Sequence, residues 1–282
     1  MAEGGKWAVG SGPYKKRPGT RPLGSAAAPA QQPHGDQLSN CSIWWDAANI
    51  DFGRIPESTV ERSRHRFRES LPNLIWNAAA LEGNTFTLPE VKTLLDGVTV
   101  GGRPQREASQ ILALGEGYSF VDDLVGAEKF LLSKEISDAV HGRVAVHEAI
   151  ESGHFRGEGP TGGGGTVQLA GGGYVEGFEA GESGSLLIDR YRRTIEYLEE
   201  ISDPRERALV YFAAATRQQF YFDGNKRTAR LMMSGELMTH GFEVVSVPFA
   251  RKFEFNLALD TLFTTSDATP LLSFLVTCTQ PG

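Results

Sequence analysis

The sequence predicts an all-α protein carrying one small β-hairpin and a disordered N-terminal arm. Apolar residues recur at three- and four-residue steps in one segment after another from Val60 onward, the spacing of buried helix faces. Strand-like alternation is confined to a single glycine-rich stretch, residues 156–184. Residues 1–40, rich in Gly, Pro, Ala and Gln, hold too little apolar surface to offset the entropy of ordering. The rest of the 282-residue chain, 40% hydrophobic overall, is ample for one main core.

Taken in order, Val60, Phe67, Leu71, Leu74, Ile75 and Ala78 mark helical faces from Pro56 onward, interrupted at Pro72. Thr87-Leu88-Pro89-Glu90 reads as a helix start with Thr87 as N-cap, and Asp96-Gly97 as its end. A long helix follows from about residue 106 to 120. Ser133-Lys134-Glu135 opens another, with Ile136, Val140, Val144 and Ile150 on one side and its end near Gly153. Thr166-Val167-Gln168-Leu169, then a triple-glycine turn and Tyr174-Val175, form the hairpin. Residues 186–201, 206–218, 226–239 and 253–263 are helical in period, with Gly241 closing the third, and residues 271–276 make a last short helix. The chain has no internal repeat.

The formal charge is −7, yet residues 1–40 carry five Lys/Arg against two acids, which leaves the remainder at −10. That balance argues against a duplex nucleic-acid binder. Cys41 and Cys278 are too few and too far apart for a disulfide framework or a zinc site, so a reducing compartment is expected. Residues 1–33 contain no apolar block of signal-peptide form, and no stretch is long enough for a membrane span. A cytoplasmic protein without membrane partners is the expectation.

The chemistry is expected at Gln219-Phe-Tyr-Phe-Asp223-Gly224-Asn225-Lys226-Arg227-Thr-Ala-Arg230. Asp223-Gly224-Asn225 can present successive N–H groups as an anion nest at a helix entrance, with Gly224 supplying the backbone freedom such a nest demands. Arg227 and Arg230, three apart, face the same way, one turn deeper. Asp223 can hold Mg²⁺ against phosphate oxygens, since that ion takes one or two carboxylates plus phosphate. By composition alone such a turn is more often a plain N-cap with solvated cations.

The ordered string decides between them, because it resembles the Fic-domain signature His-x-Phe-x-Asp/Glu-Gly-Asn-Gly/Lys-Arg-x-x-Arg. Upstream, Asn77-Ala-Ala-Ala-Leu-Glu82-Gly-Asn84 is similar to the inhibitory helix of some Fic proteins, Ser/Thr-x-x-x-Glu-Gly/Asn, with Ala78 where the hydroxyl residue usually stands. The resemblance spans about residues 60–277. It implies a Fic-like helical bundle with a hairpin flap, divided into the arm (1–40), N-terminal helices with the inhibitory motif (41–105) and a core (106–282).

Fic enzymes usually transfer AMP from ATP to a Ser, Thr or Tyr hydroxyl of a protein. The resemblance makes Asp223 the Mg²⁺ ligand, Gly224, Asn225 and Lys226 the cradle of the inner phosphates, Arg227 the β-phosphate cation and Arg230 the γ-phosphate cation. Glu82 is matched to the glutamate that pairs with the second arginine and blocks productive ATP binding. Val167 and Leu169 fall on the flap that takes a target segment by strand addition, and Asn256 on the adenine side. Lys226 is a variant shared with death-on-curing toxins, which phosphorylate their target, so transfer of another phosphoryl-containing group stays open. So does a homo-oligomer.

Gln219 stands where the family has its catalytic His, and an amide accepts no proton near neutral pH. Losing a general base costs roughly 10²–10⁴ in rate. His154 is the one other base the sequence offers near the hairpin. Two readings follow: a slow, Glu82-inhibited nucleotidyltransferase, or a silent fold that binds nucleotide and a protein partner.

Overall fold

The computed structural model describes residues 34–279, in which eleven α-helices and one two-stranded hairpin are formed. The expected arm therefore lies, through residue 33, outside the described residues. Its last part does not: Gly35–Cys41 forms helix α1, a correction to the boundary placed at residue 40. Composition hides this helix, which holds by packing on a later one and by the buried Gln218, whose Nε2 donates to Cys41 O at 3.2 Å and Thr194 Oγ1 at 3.0 Å.

Helices α2 (Val60–Glu69) and α3 (Leu71–Leu81) meet at Ser70, and Pro72 sits in the first turn of α3, where its missing N–H costs nothing. Helix α4 (Leu88–Leu95) opens on a capping box in which Thr87 N and Oγ1 both donate to Glu90 Oε2, at 2.7 and 2.8 Å. Long α5 (Gln105–Gly126) packs against α3 and against α6 (Lys134–Val144), which Ser133 caps by accepting from Ile136 N. Helix α6 stops nine residues before Gly153; the chain breaks into turns there and Ile150 is exposed, against the longer helix the periodicity suggested.

Helix α7 (Ser185–Glu199) leads to α8 (Pro204–Gln218) and α9 (Asn225–Thr239), which pack along much of their length at the centre of the core. Both are buried nearly all round: Leu209, Phe212 and Ala213 of α8 and Leu231, Met232 and Leu237 of α9 are inaccessible or nearly so. Gly241, at φ 72°, follows α9 as its sequence predicts. Helices α10 (Lys252–Thr265) and α11 (Thr269–Leu275) pack on α8. The hairpin pairs β1 (Val167–Gln168) antiparallel with β2 (Tyr174–Val175), Val167 opposite Val175. The described residues, 34–279, group as one compact unit. No helix among the described residues is long and apolar enough to cross a membrane.

Candidate active site

The turn between α8 and α9 is built by residues forced into unusual backbone. Gln219 ends α8 in the left-handed region (φ 50°, ψ 59°), and Gly224 caps α9 at φ 75°. Gly224 is needed twice over, since a Cβ there would also lie 2.7 Å from Ala145 Cβ. Asn225 locks the turn internally: its Oδ1 accepts from Tyr221 N at 2.9 Å, and its Nδ2 donates to Tyr221 O at 2.8 Å and Gln219 Oε1 at 3.1 Å. The first helical bond across the turn runs from Thr228 N to Gly224 O, and the N–H groups of Asn225, Lys226 and Arg227 make no hydrogen bond among the described residues. Three bare donors at a helix entrance are able to receive an anion.

Two residues that the sequence reading missed hold this turn from behind. His141 of α6, fully buried, stacks on Tyr221 with ring centroids 3.7 Å apart. Gly153 N donates to its Nδ1 at 2.8 Å, so the proton sits on Nε2 and donates to Asp223 O at 2.8 Å. Burial, partly offset by the hydrogen bond to that carbonyl, pulls the imidazole down to about 4, keeping it neutral. Arg156, 2% exposed, spends its guanidinium on carbonyls: Nε donates to Gln219 O (2.7 Å), Nη1 to Gly163 O and Gly164 O, and Nη2 to Phe178 O (3.0 Å). It thereby ties the base of the hairpin to the α8–α9 turn. A buried His beside Val140 and Val144 was a readable signal; Arg156 left none.

A cavity of about 540 Å³ opens over the turn. It gathers Glu82 at the end of α3, Val167 and Leu169 of the hairpin, Gln219, residues 223–227, and Lys252, Asn256 and Asp260 of α10. Two contacts fix its walls. Phe249 N donates to Asn77 Oδ1 at 2.8 Å, tying α3 to the approach to α10. Asp260 accepts from Ala170 N at 3.0 Å and Gly171 N at 2.7 Å, tying the hairpin turn to α10. His154 is exposed and does not line the cavity.

The charges inside are not paired as the resemblance implied. Glu82 does not reach Arg230; its Oε2 lies 3.2 Å from Lys226 Nζ, and its buried Oε1 has no hydrogen bond. Arg230 sits a turn deeper in α9, 4% exposed, with Nη1 and Nη2 both buried and unbonded, and it does not line the cavity. Lys226, in the first turn, meets the carboxylate first. Arg227 is held by Glu148, with Val144 O at 3.2 Å and Asp223 Oδ1 at 3.3 Å from its two Nη atoms. Gln219 is bonded on both amide atoms, Nε2 donating to Thr216 O at 2.6 Å. Ala78 is buried against the core, with no side-chain hydroxyl to offer Glu82.

Asp223 is the one carboxylate of the turn itself, 55% exposed, and only its Oδ1 is hydrogen-bonded, accepting from Gly224 N at 2.5 Å and Arg227 Nη2 at 3.3 Å. That leaves Oδ2 for a hard cation, which suits Mg²⁺ completed by phosphate oxygens and water. No group of three or more His, Cys, Asp or Glu among the described residues could hold a metal without such help.

No family model matches the chain. Among curated proteins, the adenylyltransferase fic-1 of Caenorhabditis elegans is 26% identical over 216 residues, 74% of this chain and 39% of that protein. The adenylyltransferase Fic of Drosophila erecta is 26% identical over 239 residues, 83% and 45%. The chain thus spans less than half the length of these relatives. Among solved structures, a portion of C. elegans Fic-1 superposes with TM-score 0.62 at 22% identity, covering 78% of this chain and 67% of that one. A Fic-domain signalling protein from Bacteroides thetaiotaomicron gives 0.63 at 19% identity, covering 80% and 88%. The class that this helical fold and its hairpin define is the Fic fold, as the sequence motifs implied. In sequence the chain is likewise similar to Fic adenylyltransferases, at 26% identity over 74–83% of its length.

Proposed function

We propose that the cavity binds ATP with Mg²⁺ and that the protein transfers AMP to a Ser, Thr or Tyr hydroxyl of a protein segment laid against β1, in a form held down by Glu82 and slowed by Gln219. The observation that carries this reading is the row of unbonded N–H groups at Asn225–Arg227, facing a cavity where Lys226, Arg227 and Lys252 stand beside Asp223. Phosphates are the ligands such an entrance suits. Asp223 would hold the cation, whose charge offsets that of the phosphates, and Asn256 would lie on the base side. The paired Arg227 and the unbonded Arg230 would serve the outer phosphates, Arg230 once the chain gives it access. Val167 and Leu169, both half-buried, give the target an edge beside the turn.

Positioning and charge stabilisation carry most of phosphoryl and nucleotidyl transfer, so a site without a general base retains a slow rate. Glu82 opposes binding by occupying Lys226, a cation of the phosphate cradle, rather than Arg230. The doubly bonded amide of Gln219 favours a second reading, a silent nucleotide-binding module, because nothing there is free to take a proton. Labelled ATP separates the two. Wild-type protein should self-label weakly, and Gln219→His with Glu82→Gly should raise labelling by 10² or more, with one nucleotide monophosphate added by mass. A double variant that binds ATP yet never labels would leave the silent module standing.

A further inference from the structure

We propose that Glu148, in the turns after α6, is a positioning residue of the phosphate site: it holds the Arg227 guanidinium back from Asp223 and so keeps that carboxylate available to a divalent cation. The inference rests on the reading of residues 223–230 as a Mg–nucleotide site.

Arg227 bridges two carboxylates and is held far more closely by one. Its Nη1 donates to Glu148 Oε2 and to Val144 O, whereas its Nη2 stands 3.3 Å from Asp223 Oδ1, long for a bond between full charges. The difference follows from burial. The Arg227 and Glu148 side chains are 4% and 7% exposed, and their attraction is little screened; Asp223, 55% exposed, pulls through water.

Glu148 is itself anchored. Gln110 of α5 donates Nε2 to Glu148 Oε1 at 2.8 Å and accepts from Asn84 Nδ2 at 2.7 Å. Asn84 follows Glu82 by two residues, so the turn after α3 reaches the phosphate loop twice: directly through Glu82 and Lys226, and through Asn84, Gln110 and Glu148 to Arg227. Neutralising Glu148 would leave Arg227 buried without a full counter-charge. Asp223, four residues earlier and already in reach, becomes its partner, and a cation must then displace the guanidinium from the oxygens it needs.

The test is a titration of a fluorescent ATP analogue onto the full chain carrying Glu82→Gly, repeated across Mg²⁺ concentrations and in EDTA, with thermal melts alongside. Adding Glu148→Gln should raise the Mg²⁺ concentration for half-maximal gain in affinity about tenfold, the effect of about 1.4 kcal/mol, without lowering affinity in EDTA. Gln110→Ala keeps the charge but removes its anchor, and should shift the same midpoint by a smaller factor; it carries the test if Glu148→Gln fails to fold. Unchanged Mg²⁺ dependence in the variants that fold, or equal loss of affinity with and without Mg²⁺, would overturn the inference and leave Glu148 a structural partner only. A Glu82→Gly parent that binds no analogue at all would remove the underlying reading, and the inference with it.

Discussion

At the scale of single residues, the α8–α9 turn depends on groups with no freedom to change. Gly224 meets both a left-handed backbone and the Ala145 methyl. Gly224→Ala should cost about 2 kcal/mol in denaturant unfolding and abolish nucleotide binding, because the helix entrance must shift. His141 gives the turn a pH signature. Its pKa falls from about 6.5 in the unfolded chain to about 4 in the fold, so between those values the unfolded state binds the extra proton. Its contribution to stability is complete above pH 6.5 and is lost as pH drops toward 4, amounting to about 3 kcal/mol. Melts of the nucleotide- and metal-free protein should fall across that window, and His141→Asn should flatten the slope while lowering the melting temperature at pH 7. A wild-type curve flat from pH 7 to 4.5 would contradict the assignment.

At the scale of elements, the hairpin has only one short pair of strands and is held by contacts at each end. Arg156 supports its base through carbonyls of Gly163, Gly164 and Phe178, and Asp260 supports its turn through two N–H groups. These two anchors should behave differently. Arg156→Ala removes the buried donor of four carbonyls, Gln219 O among them, and should destabilise the fold by about 3 kcal/mol while disturbing the α8–α9 turn. Asp260→Ala removes an exposed tether and should speed amide exchange at residues 168–173 with the melting temperature within a degree or two of wild type. Equal protection of the hairpin in both variants would show that the strands hold themselves.

Over the whole molecule, helices written in local chemistry were legible, and partnerships across the chain were not. Thr87 and Glu90, three apart, set the start of α4, and Gly241 set the end of α9, because caps act within a turn. Helix α1 escaped, its seven residues being held by α7 and Gln218 rather than by propensity. Ile150 was assigned to a helix because periodicity runs on where the backbone already turns. The α8–α9 turn was visible as an ordered string, yet its supports lie 63 residues away in Arg156, 79 in Glu148 and 82 in His141, distances over which sequence pattern is silent. The same limit explains why Glu82 was matched to Arg230: spacing gives the helix face, while the depth of each cation in the core decides which one meets the acid.

The proposed function requires the helix entrance at residues 223–230 to take the phosphates of a nucleotide. Calorimetric titration of ATP with Mg²⁺ into the Glu82→Gly protein measures this most directly, with Glu82→Gly plus Arg227→Ala as its partner. One-to-one binding is expected, weakening about tenfold or more when Arg227 is removed, as for loss of a charge-assisted contact. Absence of binding heat across temperatures in the Glu82→Gly protein, or affinity indifferent to Arg227, would contradict it.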